Sequence, residues 1–397
     1  MKNRPVLLLG VLVLIVFASC NTLYNTKTID IEIVEPSTLT ISPKFKNIAV
    51  QYNNVNCSPN KYLNQYEEFG TQKTEDENSD SIASIVYFET FISELNKQAF
   101  FDTLIIVDER NYSTIRIVDT IDYTPYFRED SATRVIMAAE QINVLNSSYF
   151  LKANTTSVHP KSDSLIMHPQ FGLYTPGQLQ TIRKNTDADL LLSLDYFGAS
   201  DGRYFDRQLE LGSEQVINWT QWSFYDLVEM KYVLAYSKTD TVKWMEYSSG
   251  LKNAADILPP RTDAIYNAAE ISAENFALTI VPHWVQVKRM YYSSGHVELQ
   301  HADELIQNAQ WLDVAELWSK QLENENQNIV AKCMYNLGLA CEMEGDLEAA
   351  LAWVVKSYHI FGPKKNELHA ENCMEYIRLL STRQADMKLL ELQFGDK

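Results

Sequence analysis

The sequence predicts an α+β protein, with a mixed-sheet N-terminal domain followed by an all-helical C-terminal region. Strand and helix patterns alternate before residue 215, a period-two pattern occupies residues 215–247, and small residues at helical spacing follow residue 260. The 397 residues suffice for two or three domains. Apolar residues make up 46% and charged residues 22%, which is the balance of a folded protein and excludes disorder throughout.

The charge balance excludes one class of partner. Lys and Arg number 34 against 52 Asp and Glu, giving a formal net charge of −18. Such a surface repels a phosphate backbone, so we expect no nucleic-acid partner.

The first residues predict an export signal. Two basic residues precede an apolar run at 6–17, which is too short to span a bilayer and is followed by Ala18, Ser19 and Cys20. The stretch from Phe17 to Cys20 resembles the bacterial lipobox, which implies that residues 1–19 are removed and that Cys20 carries lipid. An ordinary secretory signal, cut elsewhere, is the alternative. Residues 20–42 are expected to be a tether and entry segment.

The predicted location is the outer membrane, at its periplasmic face. Asn21 stands where an aspartate would resemble an inner-membrane retention signal of enteric bacteria. No second apolar run of spanning length follows, so lipid is the predicted membrane attachment. The tract after Cys20 lacks the dense acidic cluster of some surface-exported lipoproteins, which favours the periplasmic face.

An α+β domain is predicted at 43–258. Its first elements are a buried strand at 48–52, a helix beginning at Asp80 or Ser81, and a second buried strand at 104–107. A second helix at 175–184 leads to a leucine-rich strand at 190–194, which we expect at the centre of the sheet. The helices are expected on one face of this sheet.

The period-two region predicts further antiparallel strands. One strand contains Trp219, Trp222 and Phe224, and a hairpin follows with its turn at 237–240. In topology this half of the chain is similar to the small α/β domains of envelope lipoproteins and of the N-terminal part of TolB-like proteins. The segments DTLIIVD and DADLLLSLDYF carry this similarity.

Residues 259–397 are predicted to be helical, beginning with a helix at 262–293 that ends before Gly295. Residues 331–364 match the 34-residue tetratricopeptide template. Small residues are needed where its two helices cross and turn. The predicted packing positions are Leu337, Gly338, Gly345, Ala350, Trp353 and Ser357.

The flanking segments extend this pattern. Residues 315–318 are a weaker copy of residues 350–353, and a helix pair at 368–380 and 384–392 is expected to cap the array. The layout resembles an uncharacterised family of bacterial envelope lipoproteins with an N-terminal α+β domain and C-terminal tetratricopeptide-like repeats. The segments PHWVQVKRMYYSSG, HADELIQNAQWLDVAELW and YNLGLACEMEGDLEAALAW carry the resemblance, which implies an architecture and no activity.

No catalytic residue, cofactor or metal site is predicted. The sequence has no GxSxG, P-loop, CxxC or HExxH pattern. We interpret five nearby acids as solvated loop residues, not as a carboxylate site, and three tryptophans as repeat core, not as a sugar-binding surface. These are Asp187, Asp189, Asp195, Asp201 and Asp206, and Trp311, Trp318 and Trp353. If a disulfide forms, Cys341 and Cys373 are the candidates.

Three functional hypotheses remain. The first is a non-catalytic, lipid-anchored envelope scaffold that binds a protein or peptide partner through its helical repeats. The second is a glycan- or nutrient-binding outer-membrane lipoprotein. The third is a periplasmic hydrolase, which lacks a recognisable nucleophile and base.

Overall fold

The computed structural model describes residues 26–54, 65–74, 79–107, 173–247 and 249–395. The predicted export signal, Cys20 and Cys57 lie outside these residues. The chain divides into two compact units. We call them the sheet unit, Pro36–His283 with Leu392–Lys397, and the helical unit, the chain up to Glu35 with Trp284–Glu391.

The described strands and helices follow one another with these bounds. The strands are β1 (Thr26–Glu35), β2 (Asn47–Tyr52), β3 (Gln65–Glu68), β4 (Thr71–Thr74), β5 (Thr103–Val107), β6 (Leu190–Asp206), β7 (Leu211–Asp226), β8 (Lys231–Tyr247) and β9 (His283–Tyr292). The helices are α1 (Ser79–Gln98), α2 (Pro176–Thr186), α3 (Leu251–Ile257), α4 (Arg261–Ile280), α5 (Val297–Gln307), α6 (Trp311–Ser319), a 3-10 helix (Lys320–Glu323), α7 (Gln327–Met343), α8 (Leu347–Lys365) and α9 (Glu367–Phe394).

Seven of the described strands form one mixed sheet, which confirms the predicted class of the N-terminal half. Its order is β4-β3-β6-β2-β5, with β7 beside β6 and β8 beside β7. β2 runs parallel to both β5 and β6, whereas β6, β7 and β8 form an antiparallel meander. The leucine-rich start of β6 is therefore central, as predicted.

Helices cover both faces of the sheet, so the prediction of helices on one face was wrong. Ile48 and Leu190 point into a core that contains the buried sides of α1 and α4. The alternate residues Ala49 and Leu191 point to the opposite face, where they meet Leu179 of α2. Thr175 caps α2 and forms a capping box with Gln178, which starts this helix where predicted.

Two strand predictions need correction. Strand β5 lies at an edge of the described sheet and leaves Ile106 59% exposed, so it is not the fully buried strand expected. Residues 237–240 are not a turn but lie within the continuous strand β8, which pairs with β7 along its length. The β-branched Thr239 and Thr241 favour an extended backbone there.

The predicted helix at 262–293 ends early. Helix α4 stops at Ile280, before Pro282, and His283–Tyr292 alternates into β9. β9 pairs with β1, a strand inside the predicted tether at 20–42. Because the Ala-rich side of α4 belongs to the core of the sheet unit, the division falls at residue 283 and not at 259.

The helical unit has the helical C-terminal character that the sequence predicts. Helices α7 and α8 pack together, and the turn between them contains Gly345 at φ +84°. The expected final pair of helices is instead the single helix α9, which contains neither Gly nor Pro in its 28 residues. Within the described ranges, no helix is both long and apolar enough to cross a membrane.

Candidate functional site

The predicted packing positions lie where α7 and α8 meet. A Cβ added to Gly338 would lie 2.5 Å from Val354 Cγ2 and 3.1 Å from the Ala350 carbonyl oxygen, so only glycine fits at this crossing. Leu337 and Ala350 are buried. Trp353 is half-buried, and Lys356 Nζ lies 4.2 Å from its ring centroid.

Ser357 belongs to a buried polar group that joins α8 to α9. Its hydroxyl donates to the Ala331 carbonyl at 2.6 Å and lies 2.9 Å from His369 Nε2. Cys373 Sγ lies 3.4 Å from the same nitrogen, while the Tyr292 hydroxyl lies 2.7 Å from His369 Nδ1. This geometry fits a neutral imidazole that is protonated on Nε2.

Burial shifts the pKa values of this group away from reactivity. Desolvation lowers the pKa of His369 to about 4 and raises that of the Cys373 thiol to about 11. Both side chains are nearly inaccessible to solvent. A cysteine, a histidine and a hydroxyl meet here, but the thiol is held in its unreactive, neutral form.

Helix α7 also holds strand β9 through side-chain bonds to the main chain. Asn336 Nδ2 donates to the Tyr292 carbonyl, and the Tyr292 amide donates to Asn336 Oδ1, both at 2.8 Å. These paired bonds recognise the backbone of an extended segment without reading its side chain.

A buried ion pair fixes the next turn of this contact. Arg289 of β9 donates to Glu342 of α7 through Nε and Nη2 at 2.9 Å. The Tyr376 hydroxyl of α9 donates to Glu342 Oε2 at 2.7 Å. Removal of Arg289 would leave the buried Glu342 with the longer contact to Arg383, whose Nε lies 3.9 Å from Oε1, and removal of Glu342 would leave Arg289 buried without this partner.

The sheet unit contains a second buried polar group, centred on Asp195. Ser193 donates to Asp195 Oδ1 at 2.7 Å, and Ser223 donates to Oδ2. Burial raises the pKa of this carboxyl to about 6, although hydrogen bonds from Ser223, Ser193 and Asn53 oppose the shift. Asp195 lies at the irregularity between Leu194 and Tyr196 in β6, past the end of the β2 pairing.

Two side-chain amides near the end of β2 are incompletely satisfied. Tyr174 donates to Gln51 Oε1 at 2.7 Å, whereas Gln51 Nε2 and Asn53 Oδ1 are buried without a hydrogen-bond partner among the described residues. Ligands commonly bind at the carboxyl ends of parallel strands. This group, Asp195 with Gln51, Asn53, Ser193 and Ser223, is therefore the candidate site of the sheet unit.

The interpretation of the five acids as solvated loop residues was wrong for two of them. Asp195 is buried as described, and Asp201 is buried in a bidentate pair with Arg261, with both N–O distances 2.6 Å. Asp189 accepts from the Asn47 amide, and Asp206 accepts from two amides of the β6–β7 turn. The five acids are dispersed and do not form one carboxylate site.

The remaining expectations concern the tryptophans, the cysteine pair and metal binding. Trp311 and Trp318 are buried in the helical core, which agrees with their predicted packing role. Cys341 and Cys373 are both free, so the candidate disulfide is not formed. Within the described part of the chain, no three His, Cys, Asp or Glu side chains are grouped closely enough to hold a metal ion.

Sequence reasoning missed both buried polar groups, although weak signals existed. His369 and Cys373 stand four residues apart, on one side of a helix, and Ser193 and Asp195 are alternate residues of a strand. Their partners, Ser357, Tyr292 and Ser223, are distant in sequence. The hydrogen bonds between them could not be read from spacing.

Two family models match parts of the chain. The Domain of unknown function (DUF8603) matches residues 159–292, and the Domain of unknown function (DUF6340) matches residues 300–382. The first ends with β9, and the second runs from α5 into α9. No curated protein matches the chain significantly.

Solved structures give weak similarities. A PelC dodecamer chain from Paraburkholderia phytofirmans is 9% identical with a TM-score of 0.22, covering 64% of this chain and 99% of its own. A neuraminyllactose-binding hemagglutinin homolog from Helicobacter pylori is 8% identical with a TM-score of 0.24, covering 60% of this chain and 84% of its own. Scores this low support no argument about fold or function.

Proposed function

We propose that this protein is a non-catalytic, lipid-anchored protein of the cell envelope whose helical unit binds a protein or peptide partner. In this proposal Cys20 carries the lipid, and α7 and α8 form a tetratricopeptide-like pair over residues 331–364. The outer membrane, at its periplasmic face, is the proposed location. The observation that carries the proposal is the exposed Leu312 of α6, which lies beside the exposed acids Asp313 and Glu316.

The chemistry of the Ser357–His369–Cys373 group supports a non-catalytic role. A nucleophilic cysteine needs a lowered pKa and access to substrate, and Cys373 has a raised pKa and is buried. The group therefore serves to specify packing between α8 and α9.

The partner is proposed to bind away from the side of α7 that already contacts β9 and α9. On α6, Leu312 is 70% exposed and lies beside the exposed Asp313 and Glu316, of which Glu316 pairs with Lys320. An exposed leucine with acidic neighbours suits a basic amphipathic segment, whose charge also complements the net charge of −18.

Affinity capture from membranes with the full-length chain tests this proposal. We expect Leu312→Asp to lose a specific partner that the parent chain captures. Leu209→Asp is the matched control, because Leu209 is comparably exposed in the sheet unit. Loss of the partner with the Leu209 variant and its retention with the Leu312 variant would move the binding function to the sheet unit.

Thiol labelling of the native chain tests the non-catalytic part. Cys373 should resist iodoacetamide, whereas the half-buried Cys341 should react sooner. Rapid, selective labelling of Cys373 would identify an activated thiol and contradict the proposal.

The alternatives have less support. A glycan-binding surface formed by Trp311, Trp318 and Trp353 would need these rings to be accessible, and Trp311 and Trp318 are buried. A periplasmic hydrolase would need a nucleophile or general base, for which Asp195, with its raised pKa, is the best candidate among the described residues.

A further inference from the structure

Strand β8 has one edge that no described strand pairs with. It has 17 residues and hydrogen-bonds to β7 on its other edge. Along residues 234–246 the main-chain groups of this edge meet no strand in the described part of the chain, and an edge of this length can act as a template for a further strand. The strand's own sequence indicates what that strand is.

The residues of β8 divide between the two faces of the sheet. Lys238 lies opposite Thr220 and Asp240 lies opposite Asn218, which bonds to Ser272 of α4. Both charges therefore project to the face that α4 covers, where Lys238 Nζ lies 3.6 Å from Asp240 Oδ1. Thr239 projects to the other face and is exposed.

We propose that β8 pairs with β8 of a second copy of this chain, antiparallel and two-fold symmetric about Thr239. In this register Lys238 of each copy lies opposite Asp240 of the other copy. Thr239 is the central residue of Lys231–Tyr247, and the same register pairs Leu234 to Trp244, which lie on one side of the irregularity at Val233. Such an interface is isologous and closes as a dimer.

The other cross-strand pairs agree with this register. On the face covered by α4, Tyr236 would meet Val242 and Leu234 would meet Trp244, all of which already pack against the core of the sheet unit. On the other face, the exposed hydroxyl residue Thr239 would meet its own copy. Apolar residues thus meet apolar residues, and opposite charges meet, which stabilises paired strands.

The charges also exclude the neighbouring registers. A two-fold pairing that keeps each face continuous can shift the centre of the pairing only by whole residues. A shift by one residue in one direction places Lys238 opposite Lys238, and a shift in the other direction places Asp240 opposite Asp240. Like charges directly opposite each other destabilise a pair, so the proposed register is selected over both.

Charged residues within an edge strand can have the opposite role, which is to prevent pairing. The two roles predict different results for charge exchange. If the charges block pairing, replacing either one with the opposite charge does not create a specific defect in a dimer. If they select the register, each single reversal weakens the dimer and the double exchange restores it.

Sedimentation equilibrium of the full-length chain in detergent measures the dimer. We expect Lys238→Asp and Asp240→Lys each to raise the dimer dissociation constant by roughly tenfold or more, because each change creates two like-charge contacts in the symmetric pair. The double variant Lys238→Asp with Asp240→Lys should return towards the parent value. Circular dichroism of each variant separates weakened pairing from misfolding.

Cysteine trapping tests the register independently. Thr239→Cys should form a disulfide between copies, because directly opposed residues have Cα atoms roughly 4.5–5.5 Å apart. Thr241→Cys is the matched control, since its two copies would be roughly 13 Å apart along the strand. A mixture of the Ser237→Cys and Thr241→Cys chains should cross-link again.

Two outcomes would overturn the proposal. One is a parent chain that stays monomeric at its highest soluble concentration. The other is a dimer whose dissociation constant is unchanged in the charge variants and which cross-links no better at residue 239 than at residue 241.

Discussion

Asp195 and His369 are buried titratable residues in different units, and desolvation shifts their pKa values in opposite directions. The native carboxyl of Asp195 holds its proton up to about pH 6, above its usual range. The native imidazole of His369 loses its proton already above about pH 4, below its usual range. Each shift links folding of its unit to pH with the opposite sign.

For Asp195 this linkage stabilises the native sheet unit at acid pH. Between the ordinary carboxyl pKa and about pH 6 the native state binds more protons than the unfolded state, so the contribution is present at low pH and is lost as pH rises. We therefore expect the sheet unit of the Asp195→Asn variant not to lose this stability as pH rises. Hydrogen exchange of β6 and β7 peptides from about pH 4 to about pH 7 measures it. Asp206→Asn, an exposed acid of the β6–β7 turn, should keep the parent pH dependence.

For His369 this linkage destabilises the native helical unit at acid pH. Between about pH 4 and the ordinary imidazole pKa the unfolded state binds more protons, so the helical unit is destabilised as pH falls through this range. We expect His369→Gln to lessen the acid loss in α8 and α9 peptides. His301→Gln is the control, because the His301 side chain is exposed. An unchanged acid loss in His369→Gln would contradict the assignment.

Among the elements, the crossing of α7 and α8 is the most sensitive to one added carbon. Gly338→Ala places a Cβ within 2.5 Å of Val354 Cγ2, and overpacking of this kind costs about 1–3 kcal/mol of unfolding free energy. Gly177→Ala in α2 is the matched control, because its added Cβ has no heavy atom within 4 Å. Chemical denaturation of both variants compares them. A crossing that tolerates alanine would give equal midpoints.

Strands β8 and β9 show why element bounds depend on partners. The residues at 237–240 are of types common in turns, yet pairing with β7 satisfies their backbone groups in an extended form. Residues 283–292 alternate as a strand should and are rich in Val, Trp and Tyr, which favour strands, but they follow α4 so closely that the helix was predicted to continue through them. The burial of Asp201 also depends on a distant partner, because Arg261 comes close to it only in the folded chain.

At the scale of the whole molecule, the anchor prediction depends on Cys20. We expect Cys20→Ser to abolish lipid attachment, so that the protein is released in soluble form or keeps its uncut signal, because a single thiol carries the acyl chains. Membrane fractionation with intact mass measures both. A parent chain without acyl mass, and unchanged sedimentation of the variant, would remove the anchor from the proposed function.

The sequence by itself determined the mixed sheet, helices α1 and α2, and the α7–α8 turn at Gly345. These depend on local periodicity, on a cap such as Thr175 and on a glycine with positive φ, all of which act over a few residues.

Only the tertiary structure decided the boundary at residue 283, the pairing of β1 with β9, and the burial of Asp195 and His369. The free energy that stabilises a buried polar side chain or an alternating strand comes from contacts with partners distant in the chain. Its environment is therefore fixed by packing and not by its neighbours in sequence.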